Sequence, residues 1–358
     1  MNGFEFKRKN LKELADYRKS IIHMPPLKNL FLELTLRCNE KCVHCGSRCE
    51  EHSNSPELSL KQYKKILKDV KKDFDISKIH LDITGGEPLL RKDFFDIVHY
   101  ANKLGYTWGM TSNGTLITDE VANKLQLCGM STISVSVDGL ETTHDMIRGR
   151  KGAFKSTVRG IEALVRNGSF EHVQITTVVN HKTINELPEM FELVKSLNVE
   201  SWRVVNIEPI GRAKEHKELI LSGDEYGYMF DFIREKRMKG FDVTYGCSHF
   251  LGLEYERHVR DWFFLCNAGF YTASITANGD IVSCLDIERR PELIQGNILK
   301  DNLKNIWETK FEIFRKDLSN LNEKCALCSE CEFCHGGAYH SWDYDKNEPC
   351  VCFKDILF

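Results

Sequence analysis

Fourteen cysteines, twelve of them in two separated groups, constrain this chain more than any other feature of its sequence. Cys38, Cys42 and Cys45 lie close together, nine more fall between Cys247 and Cys352, and the long middle of the chain is nearly free of thiols. Because no apolar segment follows the basic residues of the first 28 positions, we expect neither a secretory signal nor a spanning helix. Clustered thiols in a reducing compartment usually bind metal. We therefore predict a cytoplasmic protein with metal sites on both sides of a cysteine-poor middle.

The length and charge of the chain narrow its class further. Its 358 residues suffice for about two domains. The 49 basic and 52 acidic residues leave a net charge of −3, so the overall charge gives no case for binding nucleic acid or an anionic membrane. We expect neither as a partner.

The middle of the chain has the alternating pattern of βα units. Strands are predicted at residues 29–36, 78–84, 106–111, 132–137, 173–179 and 202–207. Amphipathic helices are predicted between them at 60–74, 92–104, 119–127, 153–166 and 184–197. These units are too few for a complete eight-fold barrel, so an open partial barrel or a doubly wound parallel sheet is expected. In either fold, ligands bind at the carboxyl ends of the strands.

The first cysteine group follows the first predicted strand with the spacing C-x3-C-x2-C. Thiolates favour iron–sulfur clusters or zinc, and a cluster held by only three cysteines leaves one iron free for another ligand. An open iron implies chemistry rather than a purely structural role. The alternative is a structural zinc knuckle completed by His44 or Cys49, although the sequence offers no second ligand pair nearby.

This motif, on the loop after the first strand of a βα series, resembles the signature of the radical S-adenosylmethionine (radical SAM) superfamily. The resemblance implies that Cys38, Cys42 and Cys45 hold a [4Fe–4S] cluster whose fourth iron is chelated by the amino and carboxylate groups of SAM. It also implies that His44, in the place of the family's usual aromatic residue, lies near the adenine. One electron from the cluster then cleaves SAM to methionine and a 5′-deoxyadenosyl radical, which abstracts hydrogen from a substrate.

The end of the second predicted strand, residues 84–88, reads Thr-Gly-Gly-Glu-Pro and resembles the family's GGEP motif. Glycines allow the backbone to approach a ligand closely, and a neighbouring carboxylate can bind a cationic amine. We therefore expect Gly85, Gly86, Glu87 and Pro88 to border SAM, with Glu87 an exposed carboxylate that binds the methionyl ammonium group.

Small polar groups follow the later strands and resemble family segments that line the SAM pocket. Hydroxyl and amide groups suit a ribose and a carboxylate, and an arginine suits the SAM carboxylate. The candidates are Ser112, Asn113, Ser134, Ser136, Asp138, Arg148 and Asn180. Residues 208–212, after the sixth predicted strand, complete the ring. Structural capping is the alternative role for these positions.

The second cysteine group resembles the SPASM extension of the same superfamily, which normally carries two auxiliary [4Fe–4S] clusters beside the substrate cavity. Its spacing is matched in order by Cys266, Cys284, Cys325, Cys328, Cys334 and Cys350. One family cysteine, which helps to hold the inner cluster, is replaced by Ala338. The thiols available as substitutes are Cys247, Cys331 and Cys352.

These nine cysteines leave several outcomes open. Two clusters with four ligands each need eight thiols, so full occupancy leaves one of the nine spare. An inner cluster with an open iron is equally compatible with the sequence. So is one auxiliary cluster with scattered buried cysteines, or a pair of zinc sites. Of the two cysteines outside both groups, Cys128 is predicted to be a small core residue and Cys49 a surface residue, with a position facing the cavity as the alternative for Cys49.

Together, these features predict an α/β fold, a partial (β/α)6 barrel of the radical SAM type with a cysteine-rich C-terminal SPASM-like domain. A lead-in helix is expected within residues 1–28, the barrel at 29–222, a helical linker at 223–245 and the SPASM-like domain at 246–358.

The resemblance implies an enzyme of one of two kinds. Because the SPASM extension is most often found in enzymes that modify ribosomally made peptides, we favour a peptide or protein maturase that forms a crosslink or another oxidation product. A small-molecule dehydrogenase or epimerase acting on a sugar or aminocyclitol is the competing hypothesis. A non-catalytic iron–sulfur protein is a third, but it leaves the GGEP segment without a purpose. Either enzyme needs an electron donor such as flavodoxin or ferredoxin.

Overall fold

Strands and helices alternate through the first two thirds of the chain in the computed structural model, which describes residues 3–167 and 169–357. The strands are β1 (Asn29–Glu33), β2 (His80–Thr84), β3 (Thr107–Ser112), β4 (Met130–Ser136), β5 (His172–Val179), β6 (Ser201–Asn206), β7 (Val243–Tyr245), β8 (Thr272–Ile275), β9 (Asp280–Val282), β10 (Gly296–Asn297), β11 (Trp342–Asp343) and β12 (Glu348–Pro349). The α-helices are α1 (Gly3–Ile21), α2 (Leu60–Asp73), α3 (Phe94–Leu104), α4 (Asp119–Leu127), α5 (Glu141–Arg148), α6 (Ala153–Arg166), α7 (Leu187–Ser196), α8 (Gly223–Met238), α9 (Gly252–Tyr255), α10 (Leu303–Thr309), α11 (Glu323–Ala326), α12 (Cys331–Cys334) and α13 (Phe353–Leu357).

A ten-stranded sheet, counted over these described residues, organises the chain. Strands β1 to β7 lie side by side in chain order and are parallel. At the other edge, β8 pairs in parallel with β1, and β9 and β10 continue the sheet in antiparallel fashion. The predicted parallel α/β core of partial-barrel type is therefore confirmed, and the structure extends it on both sides. The carboxyl ends of β1 to β6 face the same edge of the sheet.

Local sequence explains why the helices cover the sheet. In α2, apolar side chains recur at helical spacing and are all buried, namely Tyr63, Ile66, Leu67 and Val70. The hydroxyl of Ser59 accepts a hydrogen bond from the backbone N–H of Gln62, and the Gln62 side chain caps Ser59 in return, so the start of α2 is fixed by a capping box. None of the helices in the described ranges has the length and apolar character needed to cross a bilayer.

The N-terminal helix packs against the C-terminal third of the chain. The Lys7 ammonium group donates to the backbone oxygen of Leu253 at 2.5 Å, and Arg18 lies 3.8 Å from the carboxylate of Asp317. The residues between the predicted barrel and the cysteine-rich region form α8 and β7, and β7 adds a strand beside β6. Helix α5, at 141–148, lies in a segment for which no helix was predicted.

The cysteine-rich region has little regular structure. Its helices α11 and α12 are four residues long each, and β11 and β12 form a separate pair of two-residue strands. Ala338 is fully buried in a small apolar cluster together with Leu11, Phe250, Phe264 and Phe333. The region therefore rests on contacts with α1 and the sheet rather than on extended elements of its own.

Candidate active site

The loop that follows β1 brings Cys38, Cys42 and Cys45 together at the carboxyl ends of the strands. Cys38 and Cys42 are buried, and Cys45 is partly exposed. The backbone N–H of Cys38 donates to the Glu50 oxygen at 2.9 Å, which closes the loop on itself. Burial raises the pKa of the Cys38 thiol to about 11 and that of Cys42 to about 12. Two of the three thiols are therefore neutral unless a cation binds them.

Nitrogen donors point at all three thiols. The Asn113 amide nitrogen lies 3.9 Å from the Cys38 sulfur, and an Arg148 guanidinium nitrogen lies 3.7 Å from the Cys42 sulfur. The backbone nitrogen of Cys49 lies 3.3 Å from the Cys45 sulfur. Such donors stabilise thiolates that ligate metal or iron–sulfur clusters.

The contact between Cys49 and Cys45 is one that sequence reasoning missed. Its predicted surface position is wrong, because the side chain is only 3% exposed and packs behind Cys45. A hydrogen bond from the Cys49 side chain lowers the pKa of the Cys45 thiol. Since no spacing rule links this pair, only the turn of the loop reveals it.

Arg212 fixes the same loop from the end of the sixth βα unit. Its guanidinium group donates to the Cys42 oxygen at 2.7 Å and to the Cys49 oxygen at 2.8 Å, and its backbone N–H donates to the Cys45 oxygen at 3.1 Å. The preceding Gly211 has a φ of 54°, and a Cβ there would lie 2.3 Å from the Cys45 oxygen. A glycine is therefore needed for the chain to pass so close to the cysteine loop.

The GGEP turn packs directly on the loop that carries the cysteines. The backbone N–H of Gly86 donates to the Thr35 oxygen at 2.7 Å, and that of Glu87 donates to the Arg37 oxygen at 2.9 Å. A Cβ at Gly86 would lie 2.2 Å from the Arg37 oxygen. Gly86 is thus required because the backbone of the GGEP turn approaches the backbone of the cysteine loop closely. The sequence alone did not predict this contact. Gly85 precedes it at the end of β2, and Pro88 opens a short 3-10 turn.

Glu87 lies inside the protein. The expectation of an exposed carboxylate is wrong, because its side chain is fully buried and accepts hydrogen bonds from the Ser112 hydroxyl at 3.0 Å and the Asn113 backbone N–H at 2.9 Å. Burial raises the pKa of Glu87 to about 7. The carboxylate therefore joins the end of β2 to the end of β3, and its predicted role toward SAM stays a prediction.

Asp138 is the centre of a buried charge network beside the cysteine loop. Its carboxylate lies 2.7 Å from the Arg148 guanidinium and 2.7 Å from the His44 imidazole, and it accepts a hydrogen bond from the Val178 backbone N–H at 2.9 Å. Although burial alone would raise the pKa of Asp138, the charge of Arg148 holds it below its usual range. Arg148 also lies 3.7 Å from Glu40. These contacts engage the guanidinium, so its proposed pairing with the SAM carboxylate stays a prediction.

The remaining predicted residues make local contacts near the same edge. The Ser134 hydroxyl lies 2.6 Å from that of Thr176 across the pair β4 and β5, and Ser136 ends β4. Asn180 is buried just after β5, where its side chain accepts a hydrogen bond from the Lys182 backbone N–H. The structure therefore brings the predicted ring to one edge of the sheet, with Asn180 shaping a turn.

A cavity of about 420 Å³ opens between this edge and the C-terminal region. His44 and Cys45 line it on one side, and the thiols of Cys247, Cys266 and Cys284 line it on the other. Ala338 is not among the residues that line this cavity, and it packs in the apolar cluster described above. The cavity is wide enough for a small ligand and part of a substrate.

A second group of five thiols lines a separate cavity. Its cysteines are Cys325, Cys328, Cys331, Cys334 and Cys352. The Lys354 ammonium group lies 3.3 Å from the Cys328 sulfur, and the backbone nitrogen of Glu330 lies 3.4 Å from it. Cys352 lines this cavity, whereas Cys350, which matches the final cysteine of the family spacing, is exposed and is not among the lining residues. Which of the two cysteines ligates a cluster stays a prediction.

Comparison with known proteins decides the family. Residues 32–194 match the radical SAM superfamily, and residues 266–332 match the SPASM iron–sulfur cluster-binding domain. The AdoMet-dependent heme synthase of Methanosarcina barkeri (strain Fusaro / DSM 804) is 30% identical over 343 residues, which cover 90% of this chain and 95% of that protein. This chain belongs to the radical SAM superfamily.

Two other comparisons show how far the likeness of this radical SAM enzyme extends. The mycofactocin maturase MftC of Mycolicibacterium smegmatis is 31% identical over 315 residues, covering 85% of this chain and 76% of that protein. The solved structure of anSMEcpe with bound AdoMet and the Cp18Cys peptide superposes with a TM-score of 0.73 at 21% identity, covering 93% of this chain and 94% of that one. The latter supports the fold alone.

The residues of this radical SAM enzyme fit the cofactors that the family uses. Three thiols with nitrogen donors directed at them suit a [4Fe–4S] cluster, and the GGEP turn and the Asp138 network adjoin them. The enzyme therefore uses SAM with that cluster, and its SPASM region carries auxiliary iron–sulfur clusters. The number of auxiliary clusters and the thiols that hold each one stay predictions.

Proposed function

We propose that this radical SAM enzyme oxidises a ribosomally made peptide or protein at a C–H bond placed in the large cavity. The observation that carries the proposal is the cavity itself, because its walls hold Cys45 on one side and Cys266 and Cys284 on the other. An auxiliary cluster held by Cys266 and Cys284 would then lie beside the reacting carbon and accept the second electron of the oxidation. The likeness to a peptide maturase over most of this chain supports a peptide as substrate.

The chain's own residues would orient the substrate and exclude water. When bound, SAM and its cluster supply the power to remove hydrogen from an unactivated carbon. Apolar side chains on the cavity wall, such as Val178, Val205 and Ile207, offer no competing polar group near the reacting carbon. Arg203 and Asp286 line the same cavity and can bind charged or amide groups of a peptide. A flavodoxin or ferredoxin would deliver the first electron.

A second candidate substrate is an iron tetrapyrrole. It is favoured by the likeness to a heme synthase, which extends over nearly the whole of both chains. His340 lines the cavity, and imidazole is a common axial ligand of haem iron. The two candidates differ in what must enter the cavity, a peptide side chain or a macrocycle.

The test is anaerobic turnover of the reconstituted enzyme with SAM and a reductant. Three kinds of substrate would be supplied separately: short peptides encoded beside the gene, an iron tetrapyrrole, and a panel of sugars and aminocyclitols. We expect 5′-deoxyadenosine and a change of peptide mass only with a peptide, and no reaction by Cys38→Ala. Conversion of the tetrapyrrole or a sugar, with every peptide left unchanged, would contradict the proposal.

A further inference from the structure

Four side chains of the kinds that bind metal lie together apart from the loop of the first cysteine group. Glu208, Cys247 and His340 line the large cavity, and His249 is buried next to Glu208. Glu208 follows β6, Cys247 and His249 follow β7, and His340 lies in a 3-10 turn before β11. The donor atoms of Glu208, Cys247 and His249 all lie within 4.8 Å of one another. The His340 imidazole nitrogen lies 3.7 Å from the Glu208 carboxylate.

One oxygen of this cluster lacks a partner in the described structure. The Glu208 side chain is 9% exposed, and its Oε2 atom is buried without a hydrogen bond. The other oxygen accepts a hydrogen bond from the Asn206 amide at 2.8 Å and lies 2.6 Å from His249 Nε2. Burying a carboxylate oxygen without a donor is unfavourable, so this atom is placed to bind a cation.

The backbone that presents two of these ligands is held by a buried arginine. The Arg260 guanidinium donates to the Cys247 oxygen at 2.8 Å and to the His249 oxygen at 2.5 Å, and it forms a fully buried ion pair with Glu256. In metal sites, residues that hydrogen-bond to the ligand-bearing segments hold the ligands at a fixed spacing.

We propose that Glu208, Cys247, His249 and His340 form a site for one zinc-class divalent cation on the cavity wall. One thiolate, two imidazoles and one carboxylate are ligands that zinc accepts in tetrahedral sites. The His249 and Glu208 atoms now at hydrogen-bond distance would separate by a fraction of an ångström to share a cation, and Oε2 is the free ligand. A cation here would face the same space as the substrate and could bind its anionic oxygen.

This assignment excludes Cys247 as a substitute for the family cysteine that Ala338 replaces. The Cys247 sulfur lies within 4.8 Å of the donor atoms of both Glu208 and His249. Cys247 thus belongs to the cluster of four ligands rather than to the pair of inner thiols. The proposal does not depend on SAM cleavage or on the identity of the substrate.

The test is zinc binding to the full-length holoenzyme after reconstitution with iron and sulfide. We expect one zinc per chain after gel filtration, with iron content unchanged. X-ray absorption at the zinc edge should show one sulfur at about 2.3 Å and about three nitrogen or oxygen atoms at about 2.0–2.1 Å. Glu208→Gln and His340→Gln should each weaken zinc binding about tenfold or more, and Cys247→Ser should remove the sulfur from the zinc shell.

A matched control is the exposed pair of His216 and Glu218, whose side chains lie 3.0 Å apart on the surface. His216→Gln should leave zinc binding unchanged. The proposal is overturned if the zinc shell holds two or more sulfurs, which would place the zinc in a cysteine cluster site. It is also overturned if Glu208→Gln and His340→Gln both bind zinc like the wild type, or if Cys247→Ser loses about four irons per chain. These readouts need no turnover, so they are independent of the proposed function.

Discussion

The two cysteine regions of this enzyme are held by different kinds of structure. The loop with Cys38, Cys42 and Cys45 is fixed by backbone hydrogen bonds to the GGEP turn and by the guanidinium of Arg212. The five thiols that line the second cavity, the outer thiols, instead lie on or near four-residue helices and near a two-stranded ribbon. The first site is therefore shaped by the sheet before any metal binds, whereas the second depends much more on its metal for order.

The largest expected effect concerns the preformed loop. We expect Cys38→Ala, Cys42→Ala and Cys45→Ala each to abolish reductive cleavage of SAM and to lose about four irons per chain, since each removes a ligand of one [4Fe–4S] cluster. The sheet should stay folded, because the loop is supported independently of the cluster. The measurements are 5′-deoxyadenosine by chromatography, iron by mass spectrometry and far-ultraviolet circular dichroism. Normal 5′-deoxyadenosine from any of the three variants would show that the loop is not the cleavage site.

The next prediction tests the outer thiols. Cys352 lines their cavity and Cys350 is exposed, so Cys352→Ala should lose about four irons per chain while the neighbouring Cys350→Ala keeps its outer cluster. Hydrogen exchange should then rise in residues 323–334 of the first variant, because the short helices lose their metal. If Cys350→Ala loses this iron instead, Cys350 rather than Cys352 is the ligand of the outer cluster.

A third experiment measures how much the buried charge network around Asp138 contributes to the free energy of unfolding. Arg148→Gln removes the guanidinium charge beside Asp138 in a buried site, which should lower the free energy of unfolding by about 3–5 kcal/mol. Arg166→Gln is the matched control, because its ion pair with Asp119 is exposed, and it should cost less than about 1 kcal/mol. Urea unfolding of the iron-free chain gives both values. Equal losses in the two variants would remove the argument that this network shapes the loop.

Glu87 provides a pH-dependent test of the same loop. Burial raises its pKa to about 7, so the ionised form grows as the pH rises through neutrality. If that form binds the SAM ammonium group, SAM affinity should increase between about pH 6 and pH 8, and Glu87→Gln should weaken SAM binding about 10- to 150-fold at the upper end and abolish the trend. Isothermal titration at several pH values measures this. A flat profile in the wild type, or an unchanged dissociation constant in the variant, would leave Glu87 a purely structural link between β2 and β3.

The smallest effect is expected at a thiol that belongs to neither region. Cys128 directly follows α4 and is buried in the main core, so Cys128→Ala should keep full iron and full SAM cleavage and cost about 1 kcal/mol of stability. Loss of iron in this variant would mean that the count of metal-binding cysteines is incomplete.

Sequence periodicity predicted the βα units of the parallel sheet well, but it did not predict strands β7 to β10. Long segments such as α2 and α6 carry repeating apolar faces, so their positions were predicted to within a residue. Strands β7 to β10 are two to four residues long and show no period of their own. Their place in the sheet follows from long-range pairing that no local pattern encodes.

The residues of the candidate site likewise fall into those that the sequence predicted and those that only the fold brings together. Motif spacing located Cys38, Cys42 and Cys45, which lie within eight residues of one another in sequence. The burial of Glu87 and the pairing of Asp138 with Arg148 depend on how strand ends meet, which spacing cannot disclose. The cluster of Glu208 with two histidines comes from separate parts of the chain, and only the fold reveals it.

The pairing of β8 with β1 imposes an order on the folding of newly made chains. Asn29 lies opposite Thr272, 243 positions later, so one edge of β1 stays open until most of the chain has left the ribosome. Contacts over such distances in sequence slow folding, and an open strand edge invites pairing with other chains. Fragments that end before residue 272 would carry that edge permanently, so attempts to produce the parallel body alone should yield aggregates unless another segment covers β1.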